Sequence, residues 1–286
     1  MANHGSSRGF LLSFTLAAAL VPAQESSDDL HEVVVIGASV SAGYTNCLST
    51  REDGVSNRTV TLDYPFKKVW PKALARVRNF SNIVMFRDPE RSGQQQVERT
   101  NKVDADLVVA IDYLFWFCYG NPRQGRMTKL ERGLKALEAL ECPLIVGDIP
   151  NMRGAQAYML KASMIPDVDT LAAMNARVRA WAADRETVTV FSLAASVRNV
   201  KTGEQVLDYD GEESFVLPRN FTLQSDLLHT TRFGATLLAY QVVEALPSVL
   251  GQRHPLVPQD LSLKKLVEAL GIEEDLPPKK KVPVRN

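Results

Sequence analysis

The sequence predicts an α/β protein in which helices cover both faces of a parallel sheet, and two observations carry this prediction. Short runs rich in β-branched residues recur along the chain, namely EVVVIG (32–37), NIVMF (82–86), ADLVVAID (105–112), PLIVGDI (143–149) and VTVFSL (188–193). Most of them are continuously apolar, as expected for strands that are buried on both faces. Helical patterns lie between several of these runs, and this alternation is typical of a parallel sheet between two helical layers.

Four helices are predicted from apolar residues at helical spacing: 127–141, 168–185, 233–246 and 259–276. In the second of these, Leu171, Met174 and Val178 fall on one face, and Asp169 is the predicted N-cap. The polar stretch 199–214 is expected to form a surface excursion or a small hairpin.

Composition excludes several classes of function. The 286 residues are 45% hydrophobic, which is enough for one sizeable core. Thirty-three basic residues balance 33 acidic ones, so composition gives no reason to expect nucleic acid or an acidic membrane surface as partner. The four histidines are scattered, and Cys47, Cys118 and Cys142 form neither a CxxC pair nor a zinc spacing. These patterns give no reason to expect a metal site, and any pairing of the cysteines stays open.

The two ends of the chain are predicted to lie outside the main folded domain. Residues 1–23 carry one basic side chain, an apolar core of about a dozen residues and small side chains ending at Ala23, a pattern that indicates a signal peptide. The alternative is an uncleaved N-terminal anchor. We expect an exported protein, periplasmic or secreted, without a stable membrane span after processing. The domain is predicted over 24–250, followed by a C-terminal helix and a basic, Pro-rich tail over 251–286.

The first strand ends in a turn that carries a candidate nucleophile. In EVVVIGASVSAGY (32–44), Ser39 lies just beyond the strand, and ligands of parallel α/β sheets bind at the carboxyl ends of the strands. The turn does not match the dinucleotide fingerprint GxGxxG or a phosphate-binding P-loop. It also fails GxSxG, because Ser41 stands where the last Gly belongs. Taken alone, such a serine is more often a helix cap than a nucleophile.

A second motif supplies what a nucleophilic serine needs. SDLLHTTRFG (225–234) places Asp226 three residues before His229, immediately ahead of a helix. A serine nucleophile requires a base, and the base requires a partner that fixes its tautomer and stabilises the imidazolium. Asp226 and His229 can fill both roles if their loop folds back over the end of the first strand.

Together these motifs resemble the SGNH hydrolase superfamily, the GDSL-like lipases and esterases. The Gly-Asp-Ser block of the family is matched by residues 37–39, and its Asp-x-x-His block with a following Gly by Asp226, His229 and Gly234. The Gly that follows the second strand of the family is matched loosely by Gly93 in PERSGQQQ. The resemblance covers about residues 32–246.

The resemblance implies a flavodoxin-like three-layer sandwich, with a mostly parallel sheet of about five strands, and hydrolysis of an ester through an acyl-enzyme. Ser39 would be the nucleophile, His229 the general base and acid, and Asp226 its orienting carboxylate. The N–H groups of Ser39 and Gly93 would form part of the oxyanion hole. The substrate would be a small-molecule, polysaccharide or lipid ester. The resemblance likewise implies no metal and no organic cofactor.

The sequence departs from the family in two places. Ala38 replaces the Asp of the first block, which is not a triad member. In the third block the family has Gly-x-Asn-Asp, whose Asn donates to the oxyanion, and the alignment puts Tyr113 or Phe115 at the Asn position. Loss of one such donor typically costs about 100- to 1000-fold in rate. The hydroxyl of Tyr113 is a candidate replacement.

The aromatic cluster around the third block has two interpretations. Tyr113, Phe115 and Trp116 either pack under neighbouring loops or form an apolar wall for the substrate. Asp112 is a site carboxylate or a capping group, and Asp148 follows another strand end. The missing Asn motivates an alternative function, a non-catalytic exported protein that binds a carbohydrate or lipid in the same cleft.

Overall fold

The strands of the computed structural model confirm the predicted fold class. The structure describes residues 30–47, 55–120, 125–155, 160–203, 206–210 and 214–277, so the predicted signal peptide and residues 278–286 of the predicted tail lie outside the described residues. The strands are β1 (His31–Val35), β2 (Ala75–Asn79), β3 (Leu107–Ala110), β4 (Leu144–Gly147), β5 (Val188–Phe191), β6 (Val206–Asp208) and β7 (Ser214–Val216).

The first five strands form one parallel sheet in the order β2-β1-β3-β4-β5. This order is flavodoxin-like, with the strand order reversing between β1 and β3. Val33 of β1 pairs with Val77 of β2 on one side and with Leu107 of β3 on the other. The first strand is therefore an interior strand, and its carboxyl end lies at the switch point where such sheets bind ligands.

The helices flank this sheet. They are α1 (Asp63–Val69), α2 (Pro89–Asn101), α3 (Phe115–Cys118), α4 (Arg126–Leu137), α5 (Val168–Ala183), α6 (Leu193–Thr202), α7 (Arg219–Thr222), α8 (Arg232–Ala245), α9 (Pro247–Leu250) and α10 (Leu263–Leu270). Strands β6 and β7 pair as the small antiparallel hairpin expected near 199–214, although 199–202 belong to α6.

Alternate strand residues pack into two separate hydrophobic layers, as the period of a strand requires. Val34 and Val108 point into the layer formed with α2, α4 and α5. Val35 and Val109 point into the opposite layer, formed with α1 and α8. The continuous apolar runs thus mark strands that are covered on both faces.

The second strand was predicted in the wrong place. Residues 82–86 form a turn and the start of a 3-10 helix, whereas the strand is Ala75–Asn79, seven residues earlier. In this edge strand Ala75 and Val77 are buried, while Arg76 is exposed and ion-paired with Glu32 of β1. An edge strand alternates between apolar and polar residues, so a search for continuous apolar runs misses it.

Two helix starts also differ from the predictions. The N-cap of α5 is Asp167, whose carboxylate accepts a hydrogen bond from the N–H of Thr170 at 2.8 Å, and not Asp169. Helix α2 was not predicted at all. Asp88 caps it by accepting from the N–H of Arg91 at 3.1 Å, and a proline occupies its first turn. Asp followed by Pro is a helix-start signal that could have identified it.

The predicted domain boundary at residue 250 does not separate two structural units. Leu256 packs fully buried in the α1–α8 layer, and Leu263 and Val267 of α10 are buried against α8. Arg232, at the start of α8, forms an ion pair with Asp275 at 2.5 Å. The domain therefore extends to about residue 277, because the amphipathic helix α10 has its apolar face in the same core.

Helix α8 also bears on the membrane prediction. Within the described ranges, Arg232–Leu250 is the one helical stretch that is long and apolar enough to cross a bilayer, and 56% of its apolar window is buried inside the domain. We interpret it as a core helix.

The three cysteines carry free thiols, with Cys118 buried and Cys47 exposed.

Candidate active site

The turn after β1 is held from below by a carboxylate at the end of β3. Oδ1 of Asp112 accepts hydrogen bonds from the N–H of Ala38 at 3.0 Å and from the hydroxyl of Ser41 at 2.6 Å. Its Oδ2 accepts from the N–H groups of Val40 at 2.9 Å and of Ser41 at 3.2 Å. Three backbone N–H groups of the turn are thus directed into the protein toward Asp112.

Gly37 makes this close approach possible. It has φ +151°, and a Cβ at this position would lie 2.0 Å from Oδ1 of Asp112. From the other side, Gln96 of α2 accepts from the N–H of Gly37 at 2.6 Å and donates to its carbonyl at 3.1 Å. The glycine of the first block is therefore required by the space and backbone conformation at this position.

Ser39 stands at the outer side of this turn. Within the part of the chain that the structure describes, its backbone N–H has no hydrogen-bond acceptor, in contrast to those of Gly37, Ala38, Val40 and Ser41. Because the neighbouring N–H groups of the turn point into the protein, the N–H of Ser39 is the one that can donate to a ligand.

The loop before α8 brings the second predicted motif to the same place. Oδ1 of Asp226 accepts from the N–H groups of Leu228 and His229, both at 3.0 Å, and closes a tight turn in which Leu227 has φ +56°. Oδ2 of Asp226 lies 2.8 Å from Nδ1 of His229. This bond fixes the imidazole with Nδ1–H toward the carboxylate, and Nε2 is left to accept a proton.

The structure places Ser39, His229 and Asp226 in one hydrogen-bonded chain. Nε2 of His229 lies 2.9 Å from Oγ of Ser39, although the two residues are 190 positions apart. Both His229 and Asp226 are buried. The three side chains thus meet in the geometry that the sequence motifs predicted for a triad, and their catalytic roles stay a prediction.

Two residues that the sequence analysis did not identify hold the two loops together. The ring of Tyr44 packs against the imidazole of His229 with a centroid distance of 4.5 Å. The fully buried amide of Gln224 accepts from the N–H of Asn46 at 2.7 Å and donates to the carbonyls of Tyr44 and Thr230 at 2.8 and 2.7 Å. No pattern in the sequence distinguishes Gln224 from a surface glutamine, because its partners Tyr44 and Asn46 are about 180 residues away.

Two buried carboxylates at the site differ in their electrostatics. Burial by itself would raise the pKa of Asp226, but the hydrogen bonds and charge of His229 and the backbone N–H groups outweigh it, so its pKa is lowered. Burial dominates at Asp112 and raises its pKa, against the opposing effect of the Ser41 hydroxyl and three backbone N–H groups. Asp226 is therefore the carboxylate suited to stay ionised beside an imidazolium.

Gly93 and Tyr113 do not fit their predicted roles. Gly93 lies inside α2 and is buried, and its N–H belongs to the helix rather than to a loop after the second strand. A Cβ on Gly93 would lie 2.5 Å from the hydroxyl of Tyr113, so this glycine makes room for the tyrosine ring. Tyr113 is fully buried on the α2 side, where its hydroxyl has no partner among the described residues. Neither residue is available as an oxyanion donor or a substrate contact.

The position of the missing Asn is corrected as well. The side chain at the end of β3 that reaches the nucleophile turn is Asp112, rather than Tyr113 or Phe115 as the alignment placed it. Asp112 accepts hydrogen bonds from the inner side of this turn. The sequence could not assign Asp112 to the turn, because a carboxylate at the end of a strand can equally well cap a helix.

Phe115 and Trp116 lie on different cavities. Phe115 lines a cavity beside Ser39, together with Met152 and Leu228. Trp116 contacts Phe115 edge to face and lines a separate cavity of about 340 Å³ with Phe86. Phe115 thus lines the cavity at Ser39 and Trp116 does not, and the role of Phe115 as a substrate contact stays a prediction.

The other strand-end residues have structural partners. Asp148 accepts a hydrogen bond from the N–H of Ala194 at the start of α6, at 2.6 Å, and its pKa is raised by burial. In the described part of the chain no group of three or more His, Cys, Asp or Glu side chains could hold a metal ion.

Comparisons with known proteins give a likeness to solved structures alone. No family model matches the chain, and no curated protein matches it. One similar structure is the lipase/acylhydrolase from Enterococcus faecalis, with 16% sequence identity and a TM-score of 0.47, covering 76% of this chain and 95% of that one. Another is a catalytic mutant of Axe2, an acetylxylan esterase from Geobacillus stearothermophilus, with 14% identity and a TM-score of 0.47, covering 80% of this chain and 97% of that one.

Proposed function

We propose that this protein is a serine hydrolase that cleaves a carboxylic ester through an acyl-enzyme on Ser39. The observation that carries the proposal is the chain of two hydrogen bonds from Ser39 Oγ through His229 to Asp226, at 2.9 and 2.8 Å. This chain of hydrogen bonds lies at the carboxyl end of β1, where parallel sheets of this kind bind ligands. A buried imidazole between a hydroxyl and a carboxylate serves proton transfer, for which a binding protein has no use.

The geometry supports a two-step reaction. Oγ of Ser39 attacks the ester carbonyl carbon while Nε2 of His229 takes the hydroxyl proton, and the C–O bond to the alcohol breaks as His229 returns that proton to the leaving oxygen. A water molecule then attacks the acyl carbon, and His229 accepts its proton and passes it to Oγ. The products are a carboxylic acid and an alcohol, and Ser39 is regenerated. Asp226 stabilises the imidazolium formed in both steps.

The free N–H of Ser39 is the donor that this turn offers to the oxyanion. Because Asp112 holds the neighbouring N–H groups, the turn is preorganised before substrate binds, which is the property that makes such donors effective. Gly93 does not contribute an oxyanion donor, because its N–H lies within α2. The substrate is a small-molecule, polysaccharide or lipid ester, and export of the protein stays a prediction that rests on residues 1–23.

Covalent labelling tests this proposal without knowledge of the substrate. The purified protein is treated with a fluorophosphonate, and the adduct is mapped by mass spectrometry. We expect an adduct on Ser39 that is lost in Ser39→Ala and strongly reduced in His229→Ala. The matched control is His254→Ala, which removes a histidine outside the site and should label like the wild type.

Absence of an adduct on the folded protein would contradict the proposal. The acceptor Asp112 at the end of β3 would then favour the second candidate, a protein that binds a carbohydrate or lipid in the cleft without cleaving it.

A further inference from the structure

A small apolar cavity adjoins the nucleophile. It measures about 50 Å³ and is lined by Ser39 and by side chains from four separate segments, including Phe115, Met152, Val197 and Leu228. Phe115, Met152 and Leu228 are buried, and Val197 of α6 is half-buried between the two hydrophobic layers. Apart from Ser39, Thr230 and Asp112, every lining side chain is apolar.

The position of the cavity assigns it to the acyl side of an ester. The leaving alcohol must receive its proton from Nε2 of His229, so it lies beside the imidazole. The described residues that line the cavity include Ser39 but not His229. The group that enters it is therefore bound to the carbonyl carbon on the side away from the imidazole, and an apolar lining suits a hydrocarbon chain.

The size of the cavity limits that chain. One water-sized group occupies about 10–15 Å³ of such space, so 50 Å³ holds about four of them. The wall cannot move outward easily, because two of its side chains, Met152 and Leu238 of α8, are only 2% and 6% exposed. Close-packed interiors resist the insertion of additional methylene groups.

We propose that the cavity is an acyl pocket that accepts chains of up to about four carbons, and that Met152 and Val197 set this limit. The inference rests on the proposed function of Ser39 and adds its substrate class, short-chain carboxylic esters. Met152 closes the cavity from the loop after β4, and Val197 closes it from α6.

The test uses p-nitrophenyl alkylphosphonates that carry methyl, butyl or octyl groups. Ser39 Oγ displaces p-nitrophenolate from phosphorus and its proton passes to His229, so the absorbance of released p-nitrophenolate gives the rate for each chain length. We expect octyl to react at least tenfold more slowly than butyl, since one surplus methylene in an apolar pocket costs about 10- to 200-fold. In Met152→Ala, which loses three side-chain heavy atoms, the butyl-to-octyl ratio should fall at least fivefold.

Matched variants keep the test decisive. Met174 of α5 is also fully buried but does not line the cavity, so Met174→Ala should leave the ratio unchanged. Val197→Ala removes less volume at a half-buried helix position, and it replaces Met152→Ala if that variant does not fold. A wild-type ratio near one, or an equal effect of Met174→Ala, overturns the acyl-pocket assignment alone. If no phosphonate and no fluorophosphonate labels Ser39, the proposed function itself fails.

Discussion

The substitution Asp112→Asn tests whether this buried carboxylate positions the turn that carries Ser39. Each carboxylate oxygen of Asp112 accepts at least one backbone N–H, from Ala38 on Oδ1 and from Val40 and Ser41 on Oδ2. In either orientation an amide would therefore direct its NH₂ group at a backbone donor. The less costly orientation leaves the N–H of Ala38 buried without an acceptor, which costs about 1–3 kcal/mol of the free energy of unfolding.

The same substitution should reduce the rate of acylation. Ser39 lies between Ala38 and Val40, whose N–H groups bind Asp112, so a shift of the turn displaces Oγ from Nε2 of His229. A displacement of about 1 Å at a reacting group can cost on the order of 100-fold. We expect the rate constant for butylphosphonate labelling to fall by about that factor, with the destabilisation measured separately by urea unfolding.

Asp148→Asn is the control for the loss of a buried strand-end carboxylate. Asp148 also has a raised pKa, but it binds the start of α6 rather than the nucleophile turn. Its substitution should destabilise the protein without a comparable loss of labelling rate in the folded state. If Asp112→Asn labels as fast as the wild type, or faster, Asp112 does not position the turn.

Three further predictions follow from the site and from the C-terminal helix. Gly93→Ala should lower the free energy of unfolding by about 1–3 kcal/mol, because the added Cβ meets Tyr113. The labelling rate of the folded protein should not change. A loss of rate without a loss of stability would restore the oxyanion role of Gly93. The lowered pKa of Asp226 means that its ionised form contributes stability that is present above pH 4 and lost as pH falls through the folded pKa, so Asp226→Asn should flatten urea-unfolding stability over that acid range. Truncation after residue 250 removes Leu263, which is fully buried in the core, so circular dichroism should show an unfolded chain. A folded product would contradict the revised boundary.

The parts of the fold that the sequence predicted are those whose pattern is local. Strands β1, β3, β4 and β5 are covered on both faces, so each is a continuous apolar run that can be read alone. Strand β2 is an edge strand whose arginines pair with Glu32, and its identity depends on a neighbour that the local sequence does not show. The amphipathic helix α10 was predicted as an element, but the surface that receives it could not be.

The predicted site shows the same division. Ser39, Asp226 and His229 belong to short motifs, and the fold brings them together as the motifs predict. Gly93 was assigned from a loose motif on a segment that is a capped helix. The role of Asp112 depends on how far β3 extends beneath the turn, which is a matter of register between strands and not of residue type.

On the proposed function, the separation of Ser39 and His229 by 190 residues also determines when the protein becomes active during its synthesis. Chains leave the ribosome with the N-terminal part first. The nucleophile turn is thus made early, whereas its base arrives late and is anchored by Arg232 to Asp275 still further along the chain. A nascent chain that lacks this last segment carries Ser39 without its base, so we expect partly synthesised molecules to be inactive toward esters.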